Sequence, residues 1–418
     1  VRVILWHGYL LGGTGSNVYS RSLAREWSRA GHEVSVVCQE TDPGQYDLGG
    51  ATVFVPELPE RLLPVFVLDD YRGLDARLLQ DFSVEQCGRY VEANAAAIRS
   101  LPPAELLFTN HVLLGGAVGA AVGGRYRVKA HGSELEYSIR GRPRLERWAR
   151  ESLEPAEVTV VGSEHIRRVL SEVVGASGPV VTIPPGVDID EFRPARAAVA
   201  LAGLLREAAA DPPNPYNEDP RLPDEGNAER LARFLAPAQA TVVYFGKLIE
   251  NKGVQLLLEA IGPLDARAVI VGFGDYRREL ERLAEQLAPG RALFTGPFEH
   301  RHLVHLLALA DAAVVPSIFP EAFGMVAAEA AAAGCPPIVA RHSGLAEIAA
   351  GLEASYPPGF GHLAGFASGD AADLRRALAE LLALGPADRA AVREAARAAV
   401  VERWSWASVA SHLLEPVA

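Results

Sequence analysis

Short β-branched runs alternate with longer amphipathic stretches along almost the whole chain, and no other feature constrains the fold as tightly. The apolar runs fall at 1–7, 33–38, 51–55, 105–109, 126–130, 157–161 and 180–183, then resume at 240–245, 267–271, 291–295, 312–316 and 337–340. Helical periodicity fills the intervals, as at 16–30, 83–99, 252–261, 275–287 and 324–333. Strands that are apolar throughout are buried on both faces, which calls for parallel sheets covered by helices on each side. The predicted class is therefore α/β, with doubly wound, Rossmann-like domains. At roughly 150 residues per domain, 418 residues suit two of them.

The strand series breaks once, between about 190 and 239. Within the break, DPPNPYNEDPRLPDEGN (211–227) is too rich in Pro, Asn, Asp and Glu to build a core by itself. This predicts an N-terminal domain over 1–190, a linker or insertion over 191–238 and a C-terminal domain over 239–402. Helices are expected at 370–384, 386–402 and 404–414, with no strand after 340.

Forty basic against fifty-two acidic side chains leave a net charge of −12, which argues against a binder that grips nucleic acid through its phosphates. Cys38, Cys87 and Cys335 are too few and too scattered for a disulfide framework or a zinc ribbon, and suit a reducing compartment. The opening VRVILWHGYL lacks the charged start and cleavage site of a secretory signal. The stretch LLFTNHVLLGGAVGAAVGG (106–124) is too polar for a membrane span. A cytosolic protein is expected.

Three segments carry chemistry. GYLLGGTGSNVYS follows the first strand and enters a helix, so free N–H groups and the helix dipole suit an anion; a tight turn for close packing explains it equally. Gly13 and Gly15 begin a nicotinamide-type G-x-G-x-x-G, but Val18 stands where the third glycine belongs, although Glu40 could imitate the ribose-binding acid. In TVVYFGKLIENKGVQLLLEA (241–260), Lys247 and Lys252 occupy a strand-to-helix turn, the end of an open α/β sheet at which ligands bind. Two ammonium groups there would neutralise a diphosphate without metal; two solvated surface lysines are the plain alternative. In PSIFPEAFGMVAAEAAAAGCPPIVA (316–340), Glu321 faces a helix expected to start at Phe323 or Gly324, and Glu329 lies about 7.5 Å further along it. Carboxylates accept hydrogen bonds from sugar hydroxyls and helix-start amides hold phosphate, so these residues could grip both ends of a nucleotide sugar. Acidic residues near helix starts are also ordinary dipole partners.

Together, GTGSNVYSRSLAREWSRAGHEV (13–34), KAHGSELEYS (129–138), IPPGVDIDEFRP (183–194), GKLIENKG (246–253), VGFGD (271–275) and EAFGMVAAEA (321–330) resemble the retaining family 4 glycosyltransferases of GT-B fold over nearly the whole chain. The Glu, seven residues, Glu spacing of the last segment is the specific signature. The resemblance implies two Rossmann-like domains facing across a cleft, with a C-terminal helix (403–418) crossing back to the N-terminal domain. It implies transfer of a hexose from a nucleoside-diphosphate sugar, UDP-glucose by family frequency, to an acceptor hydroxyl, with retention and without a metal or other cofactor. Glu321 would hold the donor sugar, Glu329 the ribose, and Lys247 and Lys252 the leaving diphosphate. The family often has Arg at the first of these lysines. Backbone N–H groups of Phe323, Gly324 and Met325 would complete the anion site, Gly13 and Gly15 would approach the diphosphate or an anionic acceptor, and His131 would point toward the donor sugar rather than merely cap its strand. Trp404 and Trp406 would be packing anchors. The expected partners are the nucleotide sugar and an acceptor of unknown kind, small molecule, glycan or lipid.

EHRHLVHLL (299–307) gathers His300, His302 and His305, but as a helix start it splits them between faces with no acidic ligand in register, so a packed or solvated helix is expected rather than a metal site. Five arginines within 140–150 suit a solvated helix start, with an anionic acceptor or a membrane surface as alternatives. The rival functions are a GT-B sugar phosphorylase or hydrolysing nucleotide-sugar epimerase, a nicotinamide oxidoreductase and a two-domain sugar-binding protein.

Overall fold

The computed structural model describes residues 1–12, 15–66, 71, 73–175 and 178–416. The chain forms two compact units, Val1–Gly186 together with Trp406–Ala418, and Val187–Ser405.

In the first unit the strands are β1 (Arg2–Trp6), β2 (Glu33–Val37), β3 (Thr52–Phe54), β4 (Leu62–Val65), β5 (Asp75–Leu78), β6 (Leu106–Asn110), β7 (Tyr126–Lys129), β8 (Val158–Val161) and β9 (Val180–Thr182). Seven of them make one parallel sheet in the order β3-β2-β1-β6-β7-β8-β9. The strand order reverses between β1 and β6, so the loops leaving those two strands open a crevice at their carboxyl ends. Strands β6, β7 and β8 are buried along their whole length, including the polar Asn110, Arg127 and Lys129, as the central strands of a sheet covered on both faces are. Both faces of the sheet are covered. One carries Trp6, Tyr90, Val118 and Leu153, the other Leu5, Tyr19, Trp27 and Phe108. Strands β4 and β5 form a separate two-stranded sheet that the sequence pattern did not reveal.

The C-terminal helix Trp406–His412 completes the second of these cores with Trp406, Val409, Ala410 and Leu413. Trp406 meets Tyr19 edge-on at 5.3 Å between centroids, Trp27 Nε1 donates to the Ala410 carbonyl at 2.8 Å, and an Arg127 guanidinium nitrogen donates to the Leu413 carbonyl at 2.6 Å.

The second unit contains β10 (Ala240–Phe245), β11 (Ala266–Val271), β12 (Ala292–Phe294), β13 (Ala312–Val315), β14 (Pro337–Ala340) and β15 (Gly365–Phe366). They pair in parallel in the order β12-β11-β10-β13-β14-β15, and the order reverses between β10 and β13. The two-residue β15 corrects the expectation of no strand after 340; its pairing with Val339 and Ala340 supplies the order that so short an apolar run cannot signal.

The segment expected as a linker or insertion over 191–238 packs into the second unit, which begins at Val187 rather than 239. Helices Ala197–Ala209 and Asn227–Leu235 bury Leu204 and Leu231 in its core. The polar stretch between them folds because its polar groups are satisfied inside the unit. The Asp224 carboxylate, 2% exposed, binds the guanidinium of Arg277 at 2.5 Å and that of Arg230 at 3.3 Å, and its N–H donates to the Thr295 carbonyl at 2.8 Å. The Asn214 amide donates to the carbonyls of Asp219 and Pro223, each at 3.0 Å. Among the described residues no helix is long and apolar enough to cross a membrane.

Candidate active site

The two loops that flank the strand reversal of the second unit are Gly246–Gly253, leaving β10, and Pro316–Gly324, leaving β13. They carry the predicted lysines and glutamates. Glycines allow these loops to close on each other. Gly253 has φ +70°, and a Cβ there would lie 2.0 Å from the Pro316 carbonyl oxygen; Gly272, in the next loop, has φ +141° and would meet the Gly246 carbonyl oxygen at 1.8 Å. Leu248 N–H donates to the Phe273 carbonyl at 2.7 Å, and the Asn251 carbonyl receives Ile318 N–H at 3.0 Å.

Lys252 Nζ and Glu321 Oε1 form an ion pair, with 30% and 23% of their side-chain surfaces exposed. Lys247 is exposed on the same loop as Lys252, its backbone carbonyl fixed by the Tyr244 hydroxyl at 2.8 Å. Glu321 is held through its backbone. Its N–H donates to Ser343 Oγ at 2.8 Å, its carbonyl accepts from Gly344 N–H at 3.0 Å, and His342 bridges Ser343 Oγ (3.0 Å) and the Ser317 carbonyl (2.6 Å). Ser343 takes φ +47°, a left-handed conformation unusual for serine, so the turn after β14 is set for this grip. Sequence reasoning missed His342 and Ser343, and the only signal was the Ser-Gly pair after an apolar run.

The helix after this loop is Met325–Ala332, one residue later than expected, because Gly324 at φ +113° serves as its N-cap. A Cβ on Gly324 would meet Leu345 at 2.6 Å, so the glycine also permits close packing. Among the described residues, the backbone N–H groups of Phe323, Gly324 and Met325 have no recorded acceptor within the protein, which leaves the helix start open to an anion. Phe323 itself is buried, its ring edge-on to Trp404 at 5.9 Å. Glu329, one turn and more along the helix, has 13% of its side chain exposed, and burial pushes its carboxyl up to about 7. The second unit therefore brings Lys252 and Glu321 into contact and places Lys247, Phe323, Gly324, Met325 and Glu329 on the two loops and the helix around them.

In the first unit, Gly15 is the exposed first residue of helix Gly15–Arg29, and Gly13 lies outside the described residues. Glu40 does not play the ribose acid that its position suggested. It is buried, and its carboxylate accepts N–H bonds from Asp42 at 3.0 Å and Leu11 at 3.4 Å. His131 follows β7, with Nε2 3.0 Å from Asn110 Oδ1 and its ring 4.7 Å from that of His111. His7 lies beyond His111 at 6.1 Å, bonded to Asn17 at 2.8 Å. Burial depresses His7 to about 3 and holds His131 well below the usual imidazole range, so both rings are neutral at neutral pH. His111 adopts φ +72°, and Nδ1 of its buried ring lies 3.5 Å from the fully buried Glu134 carboxylate. Asn110, His111, Glu134 and His7 were not singled out from sequence, because only the fold gathers the ends of β1, β6 and β7.

The helix of 299–307 is partly packed, as expected, and its histidines meet acidic neighbours from the packed insertion and from the helix of Glu329. Fully buried His302 lies 3.0 Å from Asp211, and His300 lies between Glu191 and Glu329. Among the described residues no group of His, Cys, Asp and Glu has the arrangement of a metal site. The arginines of 140–150 are mostly engaged: Arg140 with Glu136 and Glu172, Arg142 with the carbonyls of Tyr137 and Ser138, Arg144 with that of Phe82 and Arg150 with that of Val174.

A charged pair and an open helix start thus lie together at the strand reversal of a doubly wound sheet, the place where ligands of such sheets bind. The sequence models of two family descriptions match in succession, Glycosyltransferase Family 4 over residues 13–191 and Glycosyl transferases group 1 over residues 229–399. The chain belongs to this glycosyltransferase family, and its fold is GT-B. It is 32% identical to a GDP-mannose-dependent α-(1-6)-phosphatidylinositol dimannoside mannosyltransferase from Mycobacterium tuberculosis, over 46% of this chain and 42% of that protein, less than half the relative's length. It is 27% identical to a D-inositol 3-phosphate glycosyltransferase from Nocardia farcinica, over 96% of this chain and 84% of that one. Among solved structures, a sucrose-phosphate synthase from Thermosynechococcus elongatus superposes with a TM-score of 0.66 at 22% identity, covering 99% of this chain and 97% of the other. Anabaena HepE in complex with UDP superposes with a TM-score of 0.67 at 17% identity, covering 99% and 98%.

Proposed function

We propose that this protein transfers a hexose from a nucleoside-diphosphate sugar to an acceptor hydroxyl, with retention of anomeric configuration and without a metal. The observation that carries this reading is the Lys252–Glu321 pair beside the unbonded N–H groups of Phe323, Gly324 and Met325. A diphosphate accepts hydrogen bonds from ammonium and amide groups, while a carboxylate accepts them from sugar hydroxyls.

Lys252 and Lys247 hold the diphosphate, and the helix start stabilises charge as it develops on the leaving oxygen. Glu321 orients the sugar ring through its hydroxyls, and Glu329 takes the two ribose hydroxyls. In the reaction the bond between the anomeric carbon and the diphosphate oxygen breaks, and a bond to the acceptor oxygen forms on the same face. The acceptor proton passes to the departing diphosphate, so no side-chain base is required. In the first unit, His131 holds a neutral imidazole just beyond β7, and Gly15 leaves room beside a helix start.

The donor nucleoside is uridine or guanosine. HepE was solved with UDP, and one relative carries GDP-mannose in its name, so both precede the family guess of UDP-glucose. The acceptor is a hydroxyl-bearing molecule, and the free, buried cysteines suit a cytosolic setting.

The test is a thermal-shift panel in EDTA with UDP, GDP, ADP, NAD and several nucleotide sugars, followed by NMR of the product anomer. A ligand at 100 times its dissociation constant adds about 2.7 kcal/mol. A shift from one nucleoside diphosphate that disappears in Glu329→Ala supports the donor site. A shift from NAD alone refutes it, and donor turnover that requires inorganic phosphate indicates a phosphorylase.

A further inference from the structure

Resting on the reading of Glu329 as the ribose carboxylate, we propose that His300 is a positioning residue of the donor site: pinned by Glu191 and Phe192, it supplies the charge that keeps Glu329 ionised and oriented for two ribose hydroxyls. His300 is the first residue of helix His300–Leu309, in the loop region that follows β12. Its Nδ1 lies 3.4 Å from Glu191 Oε2, its Nε2 lies 3.9 Å from Glu329 Oε1, and its ring stands edge-on to Phe192 at 5.0 Å. Each ring nitrogen thus faces a carboxylate from a different element, Glu191 from the segment that opens the second unit and Glu329 from helix Met325–Ala332. The contact with Glu191 is at hydrogen-bond distance, whereas the one with Glu329 is electrostatic and needs the ring in its protonated form.

Glu329 needs this help. Its burial favours the neutral acid, His300 opposes that tendency and Glu191 adds to it; these are the charged groups whose fields act on it. A protonated carboxyl loses acceptor capacity and gains a donor, which spoils the acceptance of two ribose hydroxyls. The neighbouring cation does not replace His300, because Arg301 is engaged by Glu299, Glu207 and Asp211. Glu191 and Phe192 fix the ring before ligand arrives, so its ordering is not charged to binding.

The test is calorimetric titration of UDP and GDP in EDTA from pH 6 to 9, on wild type, His300→Phe, His300→Lys, Glu191→Gln and Glu329→Ala. For wild type, affinity falls as pH drops below about 7, where Glu329 takes up its proton. In His300→Phe that fall begins at higher pH, so binding is weaker than wild type by about three- to fivefold at pH 6.5 and rejoins it at pH 9. His300→Lys restores a charge and brings the profile back, and Glu191→Gln gives a smaller shift in its own midpoint. Wild-type and His300→Phe profiles that differ by a constant factor at every pH, or that superpose, overturn the role of His300 while the donor site stands. If neither nucleotide binds wild type, or Glu329→Ala binds as wild type does, the donor reading falls and takes this inference with it.

Discussion

Replacing Glu329 by Gln is expected to stabilise the ligand-free protein at alkaline pH while weakening its donor site. The usual carboxyl value of 4.5 rises to about 7 on folding, because the side chain is buried with 13% of its surface exposed. Below pH 4.5 both folded and unfolded chains carry the protonated acid, and no cost exists. Between 4.5 and 7 the unfolded chain ionises first and stability declines, and above 7 the full cost of a buried carboxylate is present. At about 1.4 kcal/mol per tenfold change in acidity, that cost is about 2–3 kcal/mol after allowance for the residual exposure. For a unit the size of Val187–Ser405 this corresponds to a melting temperature about 5–10 °C higher for Glu329→Gln at pH 8. Calorimetric scans from pH 4.5 to 8.5 without nucleotide should show the two proteins melting together at the acid end and separating as pH rises. A difference that does not vary with pH, or a Gln variant less stable at pH 8, would refute the argument that burial of this charge is costly. The same substitution should weaken nucleotide binding, so the site retains a residue that the fold would be better without.

Lys252→Ala should lower kcat by about 10²–10³ through loss of charge stabilisation, yet change stability by less than about 1 kcal/mol, since the pair is partly exposed; initial rates and melting curves on the same preparation check both. Ser343→Ala removes the acceptor for Glu321 N–H and should reduce kcat about tenfold with little change in KM, and equal activity would show that the loop holds Glu321 without it. Gly272→Ala would place a methyl group 1.8 Å from the Gly246 carbonyl oxygen, so nucleotide binding should be lost and the melting temperature should fall. Asp224→Ala leaves Arg277 and Arg230 without their buried partner and should destabilise the second unit by about 3–5 kcal/mol, measured by urea unfolding.

Most strands of the two large sheets could be read from sequence because they are apolar runs recurring between helical stretches. The strands that escaped lack that mark: Leu62–Val65 contains Pro64, Asp75–Leu78 alternates charged with apolar residues, and Gly365–Phe366 is two residues long. The insertion misled for a related reason. Composition shows that 211–227 is polar, but not that Asp224 and Asn214 find buried partners far along the chain. Lys252 and Glu321 were legible because a spaced motif carries them. Ser343 and His342 grip backbone groups of distant loops with their side chains, and His300 meets Glu191 and Glu329 across three elements, so sequence shows at most that a Ser-Gly pair and a histidine cluster exist, not what they touch.

The first unit opens the chain, yet its core includes Trp406, Val409, Ala410 and Leu413. During synthesis the core that joins helix Gly15–Arg29 to the sheet face bearing Phe108 therefore lacks its C-terminal residues while all of Val187–Ser405 is made. The second unit, begun later, has every residue of its own core by Trp404 and can close first. A nascent chain halted near 405 would hold every residue of the second unit's core, and a first unit that still exposes the groove filled by helix Trp406–His412.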